Sequence, residues 1–400
     1  MEKTKLLVMR QKDEIISACY EKNRMIQASV EPIAKESILG NIYLGQVKNI
    51  VKNINAAFVE YEEGKMCYLS LREDTSAAVF ANTKTSSKIW EGDFVIVQIS
   101  KEDVKTKAPV ATIGFSFTGK YLVLTHGKPN ISLSKKILDE EERKRLTLLL
   151  KPWEGKGYGL IVRTNAVGIT EEKLLSELYI LEGLYKNIMD FGIHKGKGAL
   201  LYQSPPRYLC EMRDLREDFL EEILTDDRIL HRQIREYLEK YQLEDLKKLR
   251  LYDDKTLSLD RMYGVETGLK KAVSKQVWLK SGGTLVIEPC EALTVIDVNT
   301  GKAVKGNKKV QETFLKINLE AAKEIAFQLR LRNLSGIIIV DFIDLEEDTA
   351  KEVLLRELKV ALAEDPIRCV VVDMTALGLV EITRKKLWKP LHEQLKHNPS

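Results

Sequence analysis

The last third of the chain constrains its fold most, because strand-like and helix-like segments alternate there without a break. Apolar runs of strand length, TLVIE, LTVIDVN, GIIIVDF and RCVVVDM, are separated by two segments of helical period. The first runs from about Val310 to Arg332 and places Val310, Phe314, Ile317, Ala321, Ile325 and Leu329 on one face. The second covers about 347–364. TLVIE and LTVIDVN follow Ser281-Gly282-Gly283 and read as a hairpin. Strand, helix, strand, helix, strand then predicts an α/β sheet with parallel pairing and right-handed crossovers.

Three of these strands end in an aspartate: Asp297, Asp341 and Asp373. In open α/β sheets, ligands sit beyond the carboxyl ends of the strands. Two or three carboxylates converging there make an all-oxygen site suited to Mg²⁺ or Mn²⁺, held together with waters and substrate phosphate. An ion so held lowers the pKa of an attacking water and stabilises charge on a phosphodiester oxygen. Asn299, two residues after Asp297, points to the same face of an extended segment. The following loop carries Lys302, Lys305, Lys308 and Lys309 with Gly301 and Gly306, which suits phosphate. An aspartate at a strand end is often only a turn former or helix cap. Singly, each of the three is best read so. Asp297 and Asp341 taken together, with Asn299 and the lysines, read as a site; Asp373 and Asp344 stay with the capping reading.

Earlier segments have other textures. Residues 1–36 read as a strand pair, KLLVMR and EIISACY, followed by polar linker. Residues 37–113 carry short alternating runs punctuated by Gly45, Gly64 and Gly92, the pattern of a small β-barrel. Alternation in AAFVEYE puts Ala57, Val59 and Tyr61 on one face and Phe58 on the other. In KMCYLSL, Cys67, Leu69 and Leu71 form the apolar set, so Tyr68 shares the polar side with Phe58. Aromatics so placed stack on unpaired bases, and Lys101, Lys105 and Lys107 follow for phosphates; the competing reading has both rings facing an adjoining domain. Residues 114–208 mix strands with the helical segments EEERKRLTLLL and TEEKLLSELYILEGLYK. There GLIVRT ends in Arg163 and Thr164, a fork and a hydroxyl able to hold a phosphate. Residues 209–272 read as one strand, FLEEILT, then charged helix.

Composition excludes more than it selects. At 400 residues, two or three domains are expected, with no need of disulfide or metal staples. Apolar residues at 44% and charged residues at 30% exclude a disordered chain. The net charge of +4 names no partner. Cys19, Cys67, Cys210, Cys290 and Cys369 are scattered, which fits a reducing compartment. No run reaches the ~18 apolar residues of a membrane span and the start has no signal core, so a cytoplasmic protein is expected.

Five segments, in order, resemble the ribonuclease E/G family. Asn41-Ile42-Tyr43-Leu44-Gly45-Gln46-Val47 with AAFVEY is similar to that family's S1-type RNA-binding barrel, and GLIVRTNAVG to its 5′-sensor. SGGTLVIEPCEALTVIDVNTGKAV and IIIVDFIDLE resemble its two catalytic-aspartate segments, and GLVEITRKK the run closing its catalytic region. The resemblance implies an endoribonuclease cutting single-stranded, A/U-rich RNA to 5′-phosphate and 3′-hydroxyl ends with Mg²⁺ (or Mn²⁺), in RNA processing and decay. It implies an RNase H-like subdomain split between 1–36 and 209–272, an S1-type (OB) barrel at 37–113, a 5′-sensor region at 114–208 and a DNase I-like subdomain at 273–400. By the same resemblance Asp297 and Asp341 bind metal, Asn299 positions the scissile phosphate, and Phe58, Tyr68 and Lys107 contact RNA. Gly119, Val123, Arg163, Thr164 and Arg368 match the pocket for a 5′-monophosphate. The family's well-studied members continue into a Cys-x-x-Cys zinc link and a small domain that build a dimer. Here no cysteine follows Cys369, so the expectation is a short form without structural zinc or the zinc-linked dimer, any oligomer resting on other contacts. Two further readings stand beside this one: a non-catalytic RNA-binding regulator on the same fold, and a deoxyribonuclease.

Overall fold

Short alternating runs become four β-sheets, and the long helical periods become the layers that cover them. The structure, a computed structural model, describes residues 3–34, 37–72, 75–81, 88–103, 107–301 and 310–395; Lys105 and the lysines at 302–309 lie outside these. The chain opens with β1 (Thr4–Gln11), β2 (Glu14–Glu21) and β3 (Arg24–Pro32). Next come β4 (Ile42–Val51), β5 (Ala56–Glu62), β6 (Lys65–Ser70), β7 (Phe94–Lys101) and β8 (Val110–Thr112). They are followed by β9 (Ser116–Thr118), β10 (Leu122–His126), β11 (Ile131–Leu133), α1 (Glu140–Leu150), β12 (Tyr158–Val162) and α2 (Glu171–Phe191). The middle holds β13 (Leu200–Tyr202), α3 (Arg207–Asp214), β14 (Leu220–Thr225), α4 (Arg228–Tyr241), β15 (Leu249–Leu251), α5 (Leu259–Tyr263) and α6 (Val265–Ala272). The rest is β16 (Gln276–Trp278), β17 (Thr284–Pro289), β18 (Leu293–Asn299), α7 (Val310–Leu331), β19 (Gly336–Asp341), α8 (Asp348–Ala363), β20 (Cys369–Met374), β21 (Val380–Arg384) and α9 (Leu391–Gln394). Among the described residues no helix is long and apolar enough to cross a membrane.

The chain divides into two compact units. One comprises residues 1–34, 218–233 and 247–400. Its first sheet has the order β15-β14-β1-β2-β3, with β1 parallel to β14 and antiparallel to β2. The segment that reads as polar linker is in part a third strand, β3, paired with β2. Leu6, Leu7, Val8 and Met9 are buried in succession, as are Met25 and Ile26, so this sheet is covered on both faces and shows no simple alternation.

The second sheet of this unit has the order β16-β17-β18-β19-β21-β20. It is mixed rather than parallel: only β18 and β19 run parallel. The reason is β21, which lies between β19 and β20 and is antiparallel to both. Its Val380 and Ile382 are fully buried, and Arg384 is held by Asp365 at 2.7 Å, so apolar burial and an ion pair both favour this insertion. Helices α7 and α8 cover one face. Ile317, Ala321, Ile325 and Leu329 of the expected stripe are buried there against Ile296, Ile338 and Val340, whereas Val310 stays exposed.

The other unit comprises residues 35–217 and 234–246. Strands β4, β5, β6, β8 and β7 form a closed barrel, since β7 pairs back onto β4, and β13 adds to the outer edge of β4. Ala57, Val59, Tyr61, Cys67 and Leu69 fill the interior, as alternation requires. At Gly45 the strands approach so closely that a Cβ would lie 2.4 Å from Val59 Cγ1. A four-stranded sheet of order β11-β12-β10-β9 packs under α1 and α2. Its core, including Leu122, Leu124, Leu160, Leu174 and Leu178, continues into Ile42, Leu44 and Ile96 of the barrel.

Candidate active site and RNA contacts

Register brings two of the strand-end aspartates together. Strands β18 and β19 pair in parallel, residue for residue, from Leu293 with Ile337 to Asp297 with Asp341. Adjacent strands lie about 4.8 Å apart. On β18, Thr294, Ile296 and Val298 are buried beneath the helices, so Asp297 and Asn299 project from the opposite face. On β19, Ile338 and Val340 are buried and Asp341 shares the face of Asp297. Asn299 Nδ2 donates to Asp297 Oδ2 at 2.6 Å, which orients that carboxylate. Partial burial, the Asp297 carboxylate and Asp344 together push the Asp341 carboxyl above its ordinary range.

Burial and the neighbouring carboxylates both disfavour the charged form of Asp341, and a divalent cation bound there would offset them. Among the described residues no three His, Cys, Asp or Glu side chains converge as a metal cage. The donor set is therefore two hard carboxylates on one open face. That set fits Mg²⁺, which keeps several waters and binds through one or two carboxylates plus substrate phosphate.

The third aspartate does not join them. Asp373 sits on the edge strand β20 beyond β21, at an irregularity in register, and its Oδ1 accepts from Met374 N at 2.8 Å. Asp344, three residues after Asp341, is exposed and acts on Asp341 through its charge.

Close backbone packing shapes the end of β18. A Cβ on Gly283 would lie 2.9 Å from Asn299 O, and one on Gly301, whose φ is +57°, would lie 2.2 Å from Gly282 O. Glu320 of α7 caps the same turn by accepting from Lys280 N at 2.6 Å and Ser281 N at 3.1 Å. The Ser-Gly-Gly run signals this turn in the sequence; the distant carboxylate that holds it has no local signal.

In the barrel unit, Phe58 and Tyr68 lie directly opposite each other on β5 and β6. Both are half-buried on the outer face, with ring centroids 6.1 Å apart at 78°. Tyr68 N donates to Pro109 O at 2.7 Å, so exposed Lys107 lies two residues from the backbone that meets Tyr68. Lys101 ends β7 and is exposed. Glu60, two residues after Phe58, binds Lys48 at 3.0 Å and Lys197 at 2.6 Å and accepts from Gly64 N. Lys197, the Gly64 amide and Lys48 hold its carboxyl down at about 2.

Four of the five residues expected to hold a 5′-phosphate lie at the β11-β12-β10-β9 sheet. Val123 pairs with Ile161, and Arg163 N donates to Tyr121 O at 2.8 Å. Arg163 Nη1 donates to Gly119 O at 2.6 Å and to Asp214 Oδ1 at 2.8 Å. The hydroxyls of Thr164 and Ser134 are 3.2 Å apart. Arg213 Nε also bonds Asp214, at 2.9 Å. Burial opposes ionisation of Asp214, but Arg213 and Arg163 outweigh it and hold the carboxyl below its usual range. The fifth residue, Arg368, is exposed just before β20 in the first unit.

Sequence reasoning missed Glu177. Its carboxylate accepts from Lys120 N, Tyr121 N and Leu122 N at 2.6, 2.8 and 2.7 Å, fixing the turn that carries Gly119. A Cβ on Gly119 would lie 2.4 Å from Glu177 Cδ, so the turn requires glycine. The available signal was a carboxylate on the apolar face of α2, among Leu174, Leu178 and Leu181.

The family described as Ribonuclease E/G family matches residues 116–387. The chain is 33% identical to Ribonuclease G of Haemophilus influenzae, covering 99% of this chain and 82% of that protein. It is 32% identical to Ribonuclease G of Escherichia coli K12, with 89% and 74% covered. It is 34% identical to a ribonuclease E/G-like protein of Porphyra purpurea, with 89% and 70% covered. With that extent of likeness, and with its paired aspartates in register on one sheet, the chain is an enzyme of the ribonuclease E/G family.

Proposed function

We propose that this enzyme is an endoribonuclease that hydrolyses single-stranded, A/U-rich RNA, with a divalent ion held by Asp297 and Asp341, leaving 5′-phosphate and 3′-hydroxyl ends. The observation that carries the reading is the register pairing of Asp297 with Asp341 on an open sheet face. A bound Mg²⁺ supplies positive charge at the scissile phosphate and a lower pKa for attacking water. Asp297 and Asp341 set the direction from which the phosphate is approached, and Asn299 holds Asp297 and offers an amide to a phosphate oxygen. Phe58 and Tyr68 give unpaired bases an aromatic surface, and Lys107 a cation for the backbone. Helical RNA has its bases stacked inward and gains little from such a surface.

Arg163 and Thr164 read a 5′-monophosphate through charge-assisted hydrogen bonds. In the same reading the β15-β14-β1-β2-β3 sheet is a split RNase H-like subdomain, the barrel is S1-type, and the sheet bearing the aspartates is a DNase I-like subdomain. The work fits RNA processing and decay in the cytoplasm.

The test uses a 5′-monophosphorylated, single-stranded, A/U-rich RNA with Mg²⁺, beside a DNA of the same sequence. The wild type is expected to cut the RNA internally and spare the DNA, and Asp297→Asn to lose the cuts. Equal cutting by Asp297→Asn, or no internal cuts by the wild type, would sink the metal-site reading.

A further inference from the structure

Helix α7 buries Asn318, a polar side chain that no catalytic assignment uses. Asn318 is 0% exposed, next to Ile317 and one turn from Ala321 and Ala322, which are buried in the core under the sheet. A buried carboxamide costs free energy unless its hydrogen bonds are made, and asparagine is a poorer helix former than leucine, which has a similar size. Packing alone gives no reason for it.

Its hydrogen bonds do. Asn318 Nδ2 donates to Ile343 O at 2.7 Å, and Asn318 Oδ1 accepts from Ile343 N at 3.1 Å. Ile343 lies two residues after Asp341 and one before Asp344. Strand β19 ends at Asp341, so Ile343 has no strand neighbour to satisfy its backbone. Phe342 and Leu345 are buried in the core on either side. Apolar burial holds the segment down without fixing its rotation, because it is non-directional. The two bonds of Asn318 fix both peptide planes that flank Ile343, and with them the exit of the chain from Asp341 and its entry into Asp344. The same helix holds the other wall of the site through Glu320 and the Lys280–Ser281 turn.

We propose that Asn318 is a positioning residue of the carboxylate site: it clamps the Ile343 backbone and so sets how Asp341 and Asp344 present their charge to a divalent ion. The proposal rests on the reading that Asp297 and Asp341 hold that ion. Groups that orient metal ligands typically govern affinity by about 10- to 100-fold.

Mn²⁺ binding to the full chain without RNA, followed by electron paramagnetic resonance, tests it. Asn318→Leu is expected to raise the Mn²⁺ Kd about 10- to 100-fold. Asn318→Gln keeps the amide but displaces it by one methylene, and should shift affinity the same way with less disturbance of the core. Ile325→Ala, a cavity in the same helix away from Ile343, should lower Tm and leave the Mn²⁺ Kd unchanged. Wild-type affinity in both Asn318 variants, with binding lost in Asp297→Asn, overturns the role of Asn318 alone. Equal weakening by Ile325→Ala and Asn318→Leu also overturns it, because the effect would then be general softening of α7. Wild-type Mn²⁺ binding by Asp297→Asn overturns the metal-site reading and the proposal together.

Discussion

The sheet that carries Asp297 and Asp341 and the sheet that carries Arg163 both gather charge at a strand end, and they treat it in opposite ways. At the carboxylate sheet, two like charges face each other across one ladder step, with Asp344 nearby, and Asp341 is pushed toward its neutral form. Among the described residues neither Asp297 nor Asp341 has a cationic partner. At the arginine sheet, the Arg163 guanidinium already has Asp214 at 2.8 Å and Gly119 O at 2.6 Å. Charge left bare gains most from a ligand of opposite sign, whereas charge already paired gains only the difference between partners. On the proposed reading, the carboxylate sheet would then suit a ligand that chemistry depends on, and the arginine sheet one that adjusts preference.

The largest effect should come from removing one bare carboxylate. Asp341→Asn is expected to lower RNA cleavage by about 10²- to 10³-fold or more, the equivalent of several kcal/mol of transition-state stabilisation. In EDTA the same change should not lower Tm and should raise it slightly, because a like-charge repulsion disappears. Cleavage assays and metal-free thermal unfolding check this pair of outcomes. A metal-free Tm that fell with activity would make the carboxylates structural and erase the contrast between the sheets.

These two sheets also differ in how far the sequence reveals them. Asp297, Asn299 and Asp341 are legible because alternation fixes which face a strand residue takes, and a parallel βαβ unit fixes which strand ends meet. Asp373 looks equivalent in sequence and is not, because β21 inserts between β19 and β20, and strand order is a non-local property. The barrel aromatics are legible for the same reason of parity. The partners of the arginine sheet are not: Asp214 lies 51 residues from Arg163, and Glu177 lies 55 to 57 residues from the amides it binds. Strand β3 escapes because it is buried on both faces and loses the period-two signal.

At the arginine sheet, the preference for 5′-monophosphate over 5′-hydroxyl RNA separates the two partners. Arg163→Ala should abolish it, a loss of about tenfold or more for a charge-assisted bond. Asp214→Asn should instead strengthen it, by about 1.5- to 5-fold, the range of a partly exposed ion pair. Arg213 keeps its bond to Thr118 O at 3.0 Å in that variant, so the local fold has a second anchor. Cleavage of 5′-hydroxyl RNA should change little in either case. A weaker preference in Asp214→Asn would mean that Asp214 orients Arg163 for phosphate rather than competing with it.

The smallest effect is a matter of order along the pH axis. Both aspartates start from an ordinary value of 3.8; the fold raises Asp341 and lowers Asp214. Asp214 therefore contributes stability that is present above 3.8 and is lost as pH falls through its depressed folded value. Asp341 has the opposite sign: its ionised form is disfavoured in the fold, so it costs stability above its raised value, and the cost vanishes below 3.8. Acidification should relieve the carboxylate sheet before it begins to undo the arginine sheet. A carboxyl-carbon NMR titration of the metal-free protein should show Asp341 protonating first, and Asp344→Asn should narrow the gap by moving Asp341 back toward 3.8 while leaving Asp214 in place. If Asp214 protonated first, its arginines would not be compensating it, and the two sheets would no longer differ in kind.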